Sequence, residues 1–103
     1  MARILAGDVG GTKTVLALYE SSHGQLEEIR KTTFPSGKHA RFEDLLIEFI
    51  GSESNISVAT FGIAGPIKQQ RCITTNLPWT IDAHEIQTEL NINRVHLLND
   101  LES

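Results

Sequence analysis

The sequence of 103 residues holds a single cysteine, Cys72, so no disulfide can close within it and a reducing cytoplasm is the expected setting. No apolar run approaches the length of a membrane span. The opening Met1-Ala2-Arg3-Ile4 lacks the apolar stretch and cleavage site of a signal peptide. Positive charge is scarce: 9 Lys and Arg stand against 13 Asp and Glu, for a formal net charge of −4. With no basic run, a nucleic-acid partner is not expected. The histidines (His23, His39, His84, His96) show no His-x₃-His spacing, which argues against a zinc site. There is no internal repeat and no low-complexity tract. What remains, 40% apolar and 21% charged, is ordinary globular composition. A chain this long is one domain or part of one, and buries roughly two-thirds of its unfolded surface.

Against that plain background one segment stands out, Leu5-Ala6-Gly7-Asp8-Val9-Gly10-Gly11-Thr12-Lys13-Thr14. An apolar strand breaks into a glycine pair flanked by Asp8, Thr12 and Lys13. Gly10 and Gly11 carry no side chain to keep a phosphate from the backbone N–H groups. The spacing resembles a Walker A loop, but position 12 is Thr where that pattern requires Gly. A P-loop also opens a helix, whereas Val15-Leu16-Ala17-Leu18-Tyr19 is apolar and partly β-branched and predicts a second strand. The segment therefore reads as a strand–turn–strand phosphate loop, with an ordinary glycine hairpin as the plain alternative.

Residues 4–9 and 14–19 are predicted strands, and residues 26–34 supply a third, giving an antiparallel meander. Pro35-Ser36-Gly37 punctuates the chain. Phe42, Leu45, Leu46, Phe49 and Ile50 fall at i, i+3, i+4, i+7 and i+8, one face of a helix, and Gly51 stands at its C-terminal cap. Residues 56–63 read as a buried strand, broken by Ala64-Gly65-Pro66, and residues 67–74 as a short strand or extended loop. Asp82 with Glu85 forms a capping-box pattern, and Ile81 with Ile86 a hydrophobic staple, at the start of a second helix carrying Ile86 and Leu90. Residues 95–98 form a last short strand. Three strands, helix, strand, helix, strand predict an α/β mixed sheet with a three-stranded antiparallel meander and flanking helices. Asp100 is placed to cap a helix, yet only Leu101-Glu102-Ser103 follow, too few to nucleate one. The sequence is accordingly expected to be the N-terminal piece of a longer protein.

Four segments now stand in order: residues 7–14, Gly62-Ile63-Ala64-Gly65-Pro66, Thr75-Asn76-Leu77-Pro78-Trp79, and Leu97-Leu98-Asn99-Asp100-Leu101-Glu102. Together they resemble the bacterial-type glucokinases of the actin-like sugar kinase superfamily, along nearly the whole chain. The resemblance implies a ribonuclease H-like/actin-like ATPase domain, residues 1–103 being the smaller N-terminal lobe of a two-lobed enzyme. It implies ATP, Mg²⁺ and a hexose, glucose foremost, as partners, with no membrane. Gly7, Asp8, Val9, Gly10, Gly11 and Thr12 would form the loop at the β- and γ-phosphates, with Asp8 holding Mg²⁺ through its waters. Asn99 and Asp100 would bind the sugar, Asp100 as the general base at its 6-hydroxyl. Thr75, Asn76, Gly65 and Pro66 would line the sugar cleft. The second phosphate loop and further sugar ligands of such kinases have no counterpart here, so the chain alone is expected to turn over no sugar.

Plainer readings stand beside these. Asp100 is also a good helix N-cap, and Asn76-Leu77-Pro78 is also turn chemistry with Trp79 as a core anchor. Lys13, Glu102 and His96 read as surface groups, and Cys72 as a packed small apolar residue. A ribonuclease H-like metal-dependent nuclease would share the sheet and use Asp8 and Asp100 with two Mg²⁺ ions. A non-catalytic actin-like fragment that binds sugar or a partner is the third reading, and exposed apolar sheet surface would drive its self-association.

Overall fold

The computed structural model describes residues 2–51, 53, 55–74 and 79–99. Its centre is a five-stranded sheet in the order β3-β2-β1-β4-β7. The strands are β1 (Ala2–Val9), β2 (Lys13–Ser22), β3 (Gln25–Pro35), β4 (Ile56–Ile63) and β7 (Arg94–Asn99). Helix α1 (Phe42–Ile50) joins β3 to β4. A small hairpin of β5 (Arg71–Ile73) and β6 (Thr80–Asp82), then helix α2 (Ala83–Leu90), lead on to β7. β2 is antiparallel to β1 and to β3, whereas β4 is parallel to both β1 and β7. This is the mixed sheet that the sequence predicts.

Alternation along the strands sorts the side chains into two faces. Leu5, Leu16, Leu18, Ala59, Phe61, Ile63, Val95 and Leu97 are buried and form one core with both helices. The apolar face of α1 is the predicted one: Phe42, Leu45, Leu46, Phe49 and Ile50 are all buried. Gly51 ends the helix at φ 60, its N–H donating to the Ile47 carbonyl at 2.9 Å. At the start of α2, Asp82 Oδ1 accepts from the N–H groups of His84 (2.9 Å) and Glu85 (3.2 Å), and Ile81 and Ile86 are both fully buried. The other sheet face carries Ile4, Ala6, Asp8, Val15, Tyr19, Thr60 and Leu98, each at least partly exposed.

Two features were not expected. β6 is a strand because Thr80-Ile81-Asp82 pairs back onto Arg71-Cys72-Ile73, a long-range partner that three residues of sequence do not announce. The turn feeding β5 places Gln69 and Gln70 at φ 54 and φ 58, in the left-handed region. Gln70 there meets the outer edge of β7: Leu97 N–H donates to its Oε1 at 2.7 Å, and its Nε2 donates to the Leu97 carbonyl at 3.3 Å. The side-chain amide thus takes the place a sixth strand would fill. Trp79 is the core anchor expected of it, 2% exposed, with its ring beside Phe42 and its Nε1 donating to the His39 carbonyl at 2.9 Å.

Candidate functional site

The parallel strands set the site. Val9 pairs with Ile63, and Ile63 pairs with Asn99, so β1, β4 and β7 end level with one another. At the usual strand spacing, Val9 and Asn99 are about 10 Å apart. Three pieces therefore meet at one edge of the sheet: the glycine turn after β1, Ala64-Gly65-Pro66 after β4, and Asn99 at the end of β7. Open α/β sheets bind their ligands at the carboxyl ends of parallel strands. Thr75, Asn76 and Asp100 lie outside the described residues.

The turn between β1 and β2 is tight. Val9 faces Thr14 across the antiparallel pair, and the Gly10 N–H donates to the Lys13 carbonyl at 3.0 Å. That leaves Gly11-Thr12 as the tip, and both are exposed. A Cβ on Gly10 would lie 2.9 Å from the Lys13 carbonyl oxygen, so the closure requires glycine there. Gly7 is different. It lies within β1, upstream of the turn, where its missing side chain leaves room for the Phe61 ring.

Alternation separates the polar groups at this edge. Asp8 sits in the row with Val15, Gly62 and Leu98, on the sheet face that no described helix covers, and is exposed. Asn99 sits in the row of Val9 and Ile63 and is half-buried. Gly65 is half-buried beside Cys72, and Pro66 is exposed. Burial pushes the Cys72 thiol up, which keeps it protonated and inert, in keeping with a packing role.

One residue at this edge escaped the sequence reading. Ser36, fully buried just after β3, donates from Oγ to the Gly10 carbonyl at 2.7 Å. Its one hydroxyl hydrogen being used there, Ser36 Oγ accepts from Thr14 Oγ1 at 2.8 Å. The Ser36 N–H also donates to the Thr12 carbonyl, at 3.0 Å. In the sequence it looks like turn punctuation, and no local signal separates it from any other serine after a proline.

The residues present suit a hydrated Mg²⁺ better than a caged ion. Among the described residues no group of three or more His, Cys, Asp or Glu side chains converges. Asp8 is a single exposed carboxylate beside a glycine turn, and magnesium is commonly held by one or two carboxylates together with phosphate oxygens and waters.

Strand order, parallel ends and a glycine turn after the first strand define the class: a ribonuclease H-like, actin-like domain. The similarities of the chain narrow this. A model of the glucokinase family matches residues 5–103. A glucokinase of Nostoc punctiforme is 38% identical over 104 residues, covering 97% of this chain and 30% of that protein. A glucokinase of Synechocystis is 35% identical over 108 residues, covering 93% of this chain and 30% of that one. The crystal structure of a glucokinase from an Antarctic psychrotroph superposes with a TM-score of 0.85 at 24% identity, over 98% of this chain and 33% of that chain. The chain belongs to the glucokinase family, and it spans about 30% of the length of the relatives it matches.

Proposed function

We propose that this chain is the N-terminal lobe of an ATP-dependent glucokinase, which transfers the γ-phosphate of ATP to the 6-hydroxyl of glucose. The observation that carries the reading is the level ending of β1, β4 and β7, which brings the turn of residues 8–12, Gly65-Pro66 and Asn99 to one edge. In this reading the backbone of Gly10, Gly11 and Thr12 meets the nucleotide phosphates, and the Thr12 hydroxyl adds a donor. Asp8 holds Mg²⁺ through its waters, and the ion neutralises charge on the phosphates. Gly7 and Val9 support the turn from β1. Asn99 hydrogen-bonds a sugar hydroxyl, with Thr75, Asn76, Gly65 and Pro66 lining the same cleft. Asp100, following directly on β7, takes the proton of the attacking hydroxyl, a contribution worth about 10²–10⁴ in rate. The remainder of phosphoryl transfer is positioning and charge neutralisation, which a turn on a rigid sheet supplies.

A cleft between two lobes needs both lobes, so the 103-residue chain by itself turns over no sugar. The half-exposed apolar side chains on the sheet face that no described helix covers favour its self-association, which sedimentation across a concentration range reads directly. The test of function belongs on the full-length protein: ATP-dependent formation of glucose 6-phosphate, followed in a coupled assay. Turnover with glucose supports the reading. Absence of turnover with glucose and with other hexoses, in protein shown to be folded, removes it.

A further inference from the structure

A turn that binds an anion through its N–H groups has to dispose of its carbonyls. Each backbone carbonyl is an obligatory acceptor, and one pointing at a phosphate repels it. In the turn after β1, two of the carbonyls involved, those of Gly10 and Thr12, are both taken by Ser36, one through Oγ (2.7 Å) and one through its N–H (3.0 Å). No backbone partner takes the N–H of Gly11 or Thr12 among the described residues. Ser36 is fully buried and so is Thr14, whose hydroxyl donates to Ser36 Oγ at 2.8 Å. The single hydrogen of the Ser36 hydroxyl goes to the Gly10 carbonyl, and Thr14 donates to the same oxygen from the other side. Thr12 and Gly10 lie 24 and 26 residues before Ser36, so the clamp joins the turn to the far end of β3.

We propose that Ser36 is a positioning residue for the phosphate turn, holding the carbonyls of Gly10 and Thr12 inward so that the tip offers its N–H groups to the nucleotide. Ser36 touches neither nucleotide nor sugar and acts through the turn. The proposal rests on the kinase reading above. It predicts a defect confined to one substrate, which a general loss of packing does not produce.

The experiment compares wild type, Ser36→Ala and Thr14→Val in the full-length protein, measuring KM for MgATP, KM for glucose and thermal midpoint. Ser36→Ala frees the Gly10 carbonyl, and one lost bond of this kind corresponds to about a tenfold rise in KM for MgATP, with KM for glucose within about twofold. Thr14→Val removes a buried bond of similar strength but leaves Ser36 donating to Gly10. It should lower the thermal midpoint comparably and change KM for MgATP by no more than about twofold. Should Ser36→Ala fail to fold, Ser36→Cys, with similar volume and a weak donor, is read in the same way. An unchanged KM for MgATP in the Ser36 variant overturns the proposal. So does an equal rise in Thr14→Val, or a parallel rise in both KM values. A folded wild-type protein that phosphorylates no hexose overturns the kinase reading instead, and this is seen before any variant is made.

Discussion

The ring of Phe61 fills the space that a side chain on Gly7 would need. A Cβ on Gly7 would lie 2.6 Å from Phe61 Cδ1 and 2.9 Å from Leu16 Cδ2. Gly7, Phe61 and Leu97 form one row across β1, β4 and β7, with Leu16 beside Gly7 on β2. The glycine therefore lets a phenylalanine into the core directly beneath the turn that follows β1. Overpacking at such a position forces neighbours off their rotamers and costs about 1–3 kcal/mol. Gly7→Ala is expected to lower the unfolding free energy by that amount, read as a lower urea midpoint. A midpoint equal to wild type would mean that the Phe61 ring moves aside freely, and the packing explanation of Gly7 would be wrong.

The turn at residues 68–71 carries strain that a different residue relieves. Gln69 and Gln70 both occupy left-handed backbone at φ 54 and φ 58, a conformation two-residue hairpins reserve for Asn and Gly. Among the described residues the Gln69 side chain has no hydrogen-bond partner, whereas Gln70 clasps the Leu97 backbone. Gln69→Gly should stabilise the protein by about 1 kcal/mol, the usual cost of a side chain in that conformation. Gln70→Gly gains the same relief but uncovers the β7 edge, so it should fall below Gln69→Gly in denaturant midpoint. If the two variants gave the same stability, the clasp on β7 would contribute nothing.

Glu43 gives the protein a pH-dependent weakness. It lies in the first turn of α1 and is 6% exposed. Burial raises its carboxyl above the ordinary range; its own backbone N–H and Arg41, at 3.8 Å, pull the other way, while Glu89 and Glu85 add to the rise. The folded state thus holds this proton more tightly than the unfolded state does. Below the unfolded value both states are protonated and there is no cost. As pH rises through the raised folded value, the cost of a buried charge is felt in full. Glu43→Gln should therefore show a higher thermal midpoint than wild type near pH 7, with the difference shrinking towards about pH 4. A constant difference across that range would exclude titration of Glu43 as its cause.

Local chemistry made much of this fold legible. The glycine pair, the change from period two to period 3.6 after Gly37, and the caps at Asp82 and Gly51 each act over a few residues, and each is found where the sequence puts it. What stayed hidden depends on partners far along the chain. Ser36 reads as punctuation until it meets Gly10, Gly7 as part of a phosphate motif until Phe61 packs against it, and Ile81-Asp82 only as the lead-in to α2 until β5 pairs with it. Asn99 could be assigned only by resemblance, but its place at the level ends of three parallel strands follows from the register. Asp100, Thr75 and Asn76 lie outside the described residues, and their roles remain those the family resemblance implies.

That Asp100 supplies the base at a site shared with the phosphate turn is the centre of the proposed chemistry, and one comparison tests it most directly. In the full-length protein, kcat for ATP-dependent glucose phosphorylation is measured for wild type and for Asp100→Asn, which keeps the shape and one acceptor oxygen while removing the basicity. The expected result is a fall in kcat of at least about 10²-fold with the protein still folded. A kcat within a few-fold of wild type would contradict a general base at this position and return Asp100 to the role of a helix cap.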